Sequence, residues 1–75
     1  MISVDTVMEL GRLIREERKA QKLTQLQLAG LVGVGVRFVR ELEAGKETCQ
    51  IGRAFQVAST LGLRIVMTGR RDIGQ

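Results

Sequence analysis

The segment from Gln25 to Ala44, QLQLAGLVGVGVRFVRELEA, limits the possible folds more strictly than any other part of the sequence. Its apolar residues have the spacing of two short crossing helices that face a common core, and they are Leu28, Val32, Val34, Val39 and Leu42. Ala29 falls where the two helices must approach most closely. Gly33 falls where the first helix must end, and glycine adopts positive φ without steric cost. The segment therefore predicts two short helices joined by a turn of about three residues.

Such a pair of helices is a helix-turn-helix, a motif whose second helix can enter the major groove of DNA. With Val39 and Leu42 facing the core, the residues that face outward are Val36, Arg37, Arg40 and Glu41. Arginine can donate two hydrogen bonds to guanine, so Arg37 and Arg40 are the first candidates for base contacts. Val36 could pack on a thymine methyl group. The alternative for both arginines is that they are solvated or contact phosphates.

Phosphate contacts are expected at the start of the first motif helix, where free backbone N–H groups and the positive end of the helix dipole favour an anion. Lys46 lies just beyond the second motif helix, where it could bind the DNA backbone or remain an exposed loop lysine. The candidate phosphate contacts are Thr24, Gln25, Gly35 and Lys46.

Composition supports a nucleic-acid partner and disfavours catalysis. Twelve basic and eight acidic residues give a net charge of +4, which suits a polyanion but also occurs in proteins that bind no nucleic acid. The chain has no His and a single cysteine, Cys49, so an intrachain disulfide and a Cys/His zinc site are excluded. Glycines 30, 33 and 35 lie between two helices and do not follow a strand, so they do not form a nucleotide-binding loop. We therefore expect neither an enzyme nor a cofactor.

Length and hydropathy predict one small domain in the cytoplasm. The 75 residues can bury only a small core, so oligomerisation is an expected source of stability. No apolar run reaches the roughly 18 residues that cross a bilayer, so no membrane is involved. Asp5 and Glu9 lie where a signal peptide would have basic residues, so no signal peptide is expected.

The remaining elements follow from caps and apolar spacing. Helices are predicted at about 5–21, 24–32, 35–44 and 49–61. Asp5 or Thr6 can cap the first helix, Thr24 and Gln27 match a capping box for the second, and Thr48 can cap the fourth. The residues predicted to form the buried stripe of the fourth helix are Ile51, Phe55, Ala58 and Leu61.

After Gly62 the pattern changes to that of a short strand at about 63–68. Because an unpaired strand edge is unfavourable, we expect this strand to pair with its copy across a two-fold axis. The residues predicted to form that dimer interface are Leu63, Ile65, Val66 and Met67. The alternatives are pairing with residues 2–4 or an extended tail. Arg70 and Arg71 are either solvated or a loose phosphate contact.

Several of these segments together resemble the Xre/Cro-type phage-repressor helix-turn-helix family, a mainly α, compact four-helix, lambda-repressor-like fold. They are Leu23-Thr24-Gln25, Leu28-Ala29, Gly33-Val34 and Leu42-Glu43-x-Gly45-Lys46. The resemblance covers roughly residues 8–61. It implies that Gln25 contacts phosphate, that positions 35–37, 40 and 41 face bases, and that Arg18 and Glu43 form a structural ion pair.

A narrower resemblance is to HipB-type antitoxins. It is carried by Leu10-Gly11-x-Leu13-Ile14-Arg15, by Val36-Arg37-Phe38-Val39 with Leu42-Glu43-x-Gly45-Lys46, and by Leu61-Gly62-Leu63. It implies a homodimeric repressor that binds the palindromic operator of its own operon and a HipA-type serine/threonine kinase toxin. The chain departs from that pattern because it ends soon after the strand. A stand-alone regulator without a toxin and a protein-interaction module remain as alternatives.

Overall fold

Four helices build the fold, and the computed structural model describes residues 4–67 and 69. The helices are α1 (Val7–Ala20), α2 (Gln25–Val32), α3 (Val36–Glu43) and α4 (Ile51–Thr60). The prediction of a mainly helical chain with four helices is confirmed, and each helix bound lies within two residues of its predicted position.

Side-chain caps fix where α1 and α2 begin. Thr6 Oγ1 accepts a hydrogen bond from the Glu9 amide at 3.1 Å, which selects Thr6 over Asp5 as the cap of α1. At the start of α2 the predicted capping box is complete. The Gln27 amide donates to Thr24 Oγ1 at 3.0 Å, and the Thr24 amide donates to Gln27 Oε1 at 2.8 Å.

The start of α4 differs from the prediction. Its N-cap is Gln50, and no side chain forms a cap hydrogen bond there, so Thr48 is not the cap. The Cys49 amide instead donates to the Lys46 carbonyl at 3.4 Å, which keeps residues 46–49 in a turn and delays the helix.

The buried stripe of α4 also differs. Ile51 is 69% exposed and Phe55 is 44% exposed, so their predicted burial is wrong. The buried residues of α4 and its C-cap are Ala54, Val57, Ala58 and Leu61. The apolar residues of this segment occupy more than one helix face, and the face that packs inward is the one with two alanines. Small side chains allow α4 to approach the other helices closely.

One core joins all four helices. Ile14 of α1, Leu28 of α2 and Val57 of α4 are fully buried, together with Val39 and Leu42 of α3. The close-approach position Ala29 is 2% exposed. Burial of these side chains holds α3 against the rest of the domain and leaves its opposite side free.

Two glycines set the geometry of α3. A Cβ on Gly11 would overlap the Leu42 carbonyl oxygen and lie 3.0 Å from that of Glu43, so α1 and α3 can cross this closely only because Gly11 has no side chain. Gly45, at φ 82°, ends α3 in the left-handed conformation. The Lys46 amide then donates to the Glu41 carbonyl at 3.1 Å, which turns Lys46 back over the helix.

The terminal segment has no strand over residues 63–67 of this single chain, and Thr68, the last residue of the predicted strand, lies outside the described residues. Leu63 packs against the core. The three residues that follow Arg64 are exposed by 48%, 67% and 91%, and they are Ile65, Val66 and Met67. Residues 2 and 3, and the pair Arg70-Arg71, also lie outside the described residues.

Candidate nucleic-acid interface

The two faces of α3 have opposite character. Val39 and Leu42 are completely buried, whereas the Arg37 side chain is 86% exposed and Arg40 is exposed. The Arg40 side chain forms no hydrogen bond or ion pair with any described residue. Val36 is half-buried and packs against the core, so it presents only part of its side chain to the outside. The helix thus offers two cationic side chains, three residues apart, on the surface opposite the core.

Glu41 joins two basic side chains at the edge of this surface. Arg37 Nε donates to Glu41 Oε1 at 2.7 Å, and Lys46 Nζ donates to Glu41 Oε2 at 2.7 Å. The Lys46 and Arg37 hydrogen bonds lower the pKa of the Glu41 carboxyl. Glu41 is therefore ionised at neutral pH, and both of its oxygens already have cationic partners. We call these three residues the Glu41 cluster.

A buried ion pair connects the end of α3 to α1 on the side that faces the core. Arg18 Nε and Nη2 donate to the two carboxylate oxygens of Glu43 at 2.6 and 3.0 Å, and the two side chains are only 9% and 3% exposed. Arg18 Nη1 also donates to the Leu23 carbonyl at 2.7 Å. Gln25 Nε2 donates to Glu43 Oε1 at 3.1 Å. One carboxylate therefore ties α1, the start of α2 and the end of α3 together.

The candidate phosphate contacts lie at helix ends. Thr24 uses its hydroxyl in the capping box, and Gln25 uses one amide hydrogen on Glu43, which leaves its second amide hydrogen as a donor. The backbone N–H groups of Gln25 and Leu26 have no acceptor within the described part of the chain, and no acidic residue lies in the first turn of α2. Gly35 is the exposed N-cap of α3, without a side-chain cap. These ends can accept an anion.

Sequence reasoning missed three of these contacts. The Arg37–Glu41 bond has the i,i+4 spacing at which oppositely charged side chains meet on a helix, so spacing alone could have revealed it. The Lys46–Glu41 contact depends on the reversal at Gly45, and the Gln25–Glu43 contact depends on how α2 crosses α3. Those two contacts had no signal in the linear sequence.

Other classes of site have little support in the described residues. Within residues 4–67 and 69, no helix is long and apolar enough to cross a membrane, and no cluster of three or more His, Cys, Asp or Glu side chains could hold a metal ion. Burial, followed by the nearby Glu41 charge, raises the pKa of the Cys49 thiol. The thiol is therefore protonated at neutral pH and a poor nucleophile.

Solved structures share this fold. A chain of the HipA-HipB-O2-O3 complex superposes with a TM-score of 0.84 at 16% identity, covering 93% of this chain and 99% of that one. A chain of the HipB-O4 20mer complex gives a TM-score of 0.83 at 16% identity, with the same coverage. At this level of identity the similarity establishes the fold.

Sequence comparison establishes the family. The profile of the helix-turn-helix family matches residues 14–66, which include all of α2, α3 and α4. The uncharacterized HTH-type transcriptional regulator y4mF of Sinorhizobium fredii is 52% identical over 62 residues, which cover 83% of this chain and 82% of that protein. With the exposed basic face of α3 described above, these matches show that the chain belongs to the Xre-type helix-turn-helix family of transcriptional regulators.

Proposed function

We propose that the protein is a sequence-specific repressor that binds a palindromic DNA operator as a homodimer and inserts α3 into the major groove. The observation that carries this proposal is the outward face of α3, where Arg37 and Arg40 are exposed directly opposite the buried Val39 and Leu42. A helix anchored on one side and cationic on the other is suited to enter a groove lined by phosphates and base edges.

Arg40 and Arg37 are the proposed base-reading residues. The Arg40 side chain has no hydrogen-bond or ion-pair partner in the described residues, so all of its guanidinium donors are available. Arg37 uses only Nε on Glu41 and keeps both Nη groups, and an arginine that donates twice to guanine discriminates by about 1–3 kcal/mol. Val36, being half-buried, contributes at most a methyl contact.

The proposed phosphate contacts frame this helix. They are the N-terminus of α2 with Thr24 and Gln25, the exposed N-cap Gly35, and Lys46 beyond the C-terminus of α3. Counterion release on phosphate neutralisation makes such binding fall steeply as salt rises.

The proposed dimer forms through the terminal segment. The side chains of Ile65, Val66 and Met67 are exposed, and Leu63 anchors the segment to its own core. The residues that line a shallow groove between α4 and this segment are Phe55, Ser59, Leu63, Arg64, Ile65 and Met67. A second copy that paired its own residues 63–68 here would cover this apolar surface. Two-fold readers place their recognition helices about one DNA turn, roughly 34 Å, apart.

The antitoxin role is the finer part of the proposal. We propose that the protein represses its own operon and binds a HipA-type serine/threonine kinase through surfaces away from α3. Support comes from the HipB-like sequence segments and from the shared fold with a chain of the HipA-HipB-O2-O3 complex. The alternative is a stand-alone Xre-type regulator.

A gel shift and footprint on the DNA upstream of the protein's own gene would test the DNA-binding proposal. We expect a protected palindrome whose affinity falls steeply with salt. Arg37→Ala and Arg40→Ala should each weaken operator binding by about 5- to 150-fold, the equivalent of 1–3 kcal/mol. Arg12→Ala removes the same charge from an exposed position on α1 and is the matched control. Equal losses on operator and random DNA would refute base reading by the arginines, and no DNA binding at moderate salt would favour an interaction module.

Co-purification would separate the antitoxin from the stand-alone regulator. The protein should elute as one complex with the product of an adjacent kinase gene when the two are expressed together. An adjacent kinase that elutes separately, or the absence of such a gene, would leave a regulator without a toxin.

A further inference from the structure

We infer that Glu41 is a positioning residue for DNA readout, which orients the Arg37 guanidinium for end-on donation to a guanine and makes no base contact of its own. This inference rests on the function proposed above and deepens it. Its basis is the Glu41 cluster, in which a single carboxylate holds a base-reading candidate with one oxygen and a phosphate-binding candidate with the other.

The helix brings the first two members together. Side chains four residues apart lie on the same face of a helix, so Glu41 is one turn beyond Arg37 and its carboxylate reaches back to Nε at 2.7 Å. The Arg37 side chain is otherwise 86% exposed. A long side chain on an open surface samples many rotamers, and fixing it on binding costs entropy. The bond to Glu41 restricts that sampling before DNA arrives.

The atom that Glu41 holds determines how Arg37 can read a base. A guanidinium has five N–H donors in one plane, and the Nε–H donor points to the side. With Nε occupied by Glu41 Oε1, the four donors on the two Nη groups remain. These groups can donate together to O6 and N7 of guanine. The cluster thus selects the end-on geometry over one that uses Nε.

Lys46 prevents Glu41 from acting as a free acceptor. The Lys46 backbone N–H bonds to the Glu41 carbonyl, and Lys46 Nζ bonds to Glu41 Oε2 at 2.7 Å. With both oxygens engaged, Glu41 has no oxygen free of a cationic partner to offer to a cytosine amino group. Its charge is held beside Lys46, a proposed phosphate contact, where it would disfavour DNA that Arg37 does not recognise.

The directions in which the affinities for the operator and for unrelated DNA change distinguish this role from that of a simple surface charge. Removing the Glu41 charge should raise or preserve the affinity for unrelated DNA, because repulsion of phosphates is lost. Removing the positioning contact should lower the affinity for the operator. A Glu41 that acted only through its charge would change both affinities in the same direction.

The experiment measures fluorescence anisotropy of the full chain on two labelled duplexes, the sequence that the wild-type protein selects from a random pool and a scrambled version of it. We expect Glu41→Ala to reduce the ratio of operator to scrambled affinity by about two- to fivefold, the upper part of the range for an exposed ion pair. Glu41→Gln keeps one oxygen for Arg37 and should lose less. In the Arg37→Ala background, Glu41→Ala should reduce the ratio no further.

Glu16→Ala is the matched control. Glu16 forms an exposed ion pair of the same i,i+4 spacing on α1, through Arg12 Nη1, and its loss changes the net charge equally. The inference is overturned if Glu41→Ala raises both affinities in parallel, as expected for the control. It is also overturned if the operator loss persists undiminished without Arg37, since Glu41 would then contact a base directly. A wild-type protein that selects no sequence would overturn the proposed function itself.

Discussion

Gly11→Ala should destabilise the protein even though alanine is the better helix former. Gly11 lies in the interior of α1, where replacing glycine by alanine usually stabilises a helix by about 0.5–1 kcal/mol. Here the new Cβ would overlap the Leu42 carbonyl oxygen and lie 3.0 and 3.1 Å from the carbonyl oxygen and carbon of Glu43. These are backbone atoms of the last turn of α3, so no side chain can rotate away.

The two effects have opposite signs, and their magnitudes decide the outcome. Overpacking against atoms that cannot move costs about 1–3 kcal/mol or more, which exceeds the gain in helix propensity. We expect a net loss of about 1–2 kcal/mol in the free energy of unfolding. The free energy of unfolding of a 75-residue domain is only about 4–11 kcal/mol, so this loss is a large part of it. The melting temperature should fall by about 4–16 °C.

Gly30→Ala is the matched control within α2. A Cβ on Gly30 meets nothing within 4 Å, and its φ is ordinary for a helix. The gain in propensity should therefore appear alone, as a rise of about 2–8 °C in the melting temperature. Thermal denaturation followed by circular dichroism would measure both variants. If the two substitutions shifted the midpoint in the same direction, the close approach of α1 and α3 would not be the constraint that we describe.

Three further changes test other parts of the structure. Arg18→Met should lower the free energy of unfolding, measured in urea, by about 3–5 kcal/mol because it leaves the Glu43 charge buried without its partner. Adding Glu43→Met should restore part of that loss. Wild-type stability of the Arg18→Met variant would contradict a buried pair. Lys22→Gly should raise the free energy of unfolding by about 1 kcal/mol, because Lys22 has a φ of 59° that favours glycine. A lower free energy of unfolding would show that the lysine side chain contributes more than the backbone strain costs. Replacing both Ile65 and Met67 by glutamate should raise the dissociation constant of the proposed dimer by roughly tenfold or more, measured by sedimentation at low concentration. An unchanged dimer would remove the terminal segment from the interface.

Local signals made the helices predictable. Thr24 and Gln27 form the capping box that their spacing predicted, and Gly33 and Gly45 end α2 and α3 with φ values of 86° and 82°. Each of these interactions involves residues close in the chain, so the sequence contains the whole of its cause. The core of the motif was predictable for the same reason, since its apolar residues, such as Leu28, Val39 and Leu42, recur at helical spacing.

Packing between distant elements was less predictable. The fourth helix has apolar residues on two faces, and periodicity alone could not choose between Phe55 and Val57 as the core residue. The close contact at Gly11 depends on the angle at which α1 crosses α3. The terminal segment is a different case: no strand is present over residues 63–67 of the single chain, and pairing of this segment across a dimer stays a prediction.

The candidate site divides along the same line. The outward position of Arg37 and Arg40 followed from the burial of Val39 and Leu42, because the faces of one helix are related by its geometry alone. The state of Glu41 did not follow, because it depends on Lys46, which reaches the carboxylate only after the chain reverses at Gly45.

The buried face of α3 contains residues that stabilise the fold, whereas its exposed face contains residues available for binding. Val39, Leu42 and Glu43 hold the fold. Within the described residues the Arg40 side chain forms no hydrogen bond or ion pair, and the Arg37 side chain forms one, to Glu41. A substitution at either arginine should therefore have little effect on folding, and under the function proposed above it would alter the preferred DNA sequence. After a gene duplication, two copies could diverge at these positions and regulate different genes while keeping the same core. If the arginines read bases as proposed, the DNA target could change during evolution while the core stays the same.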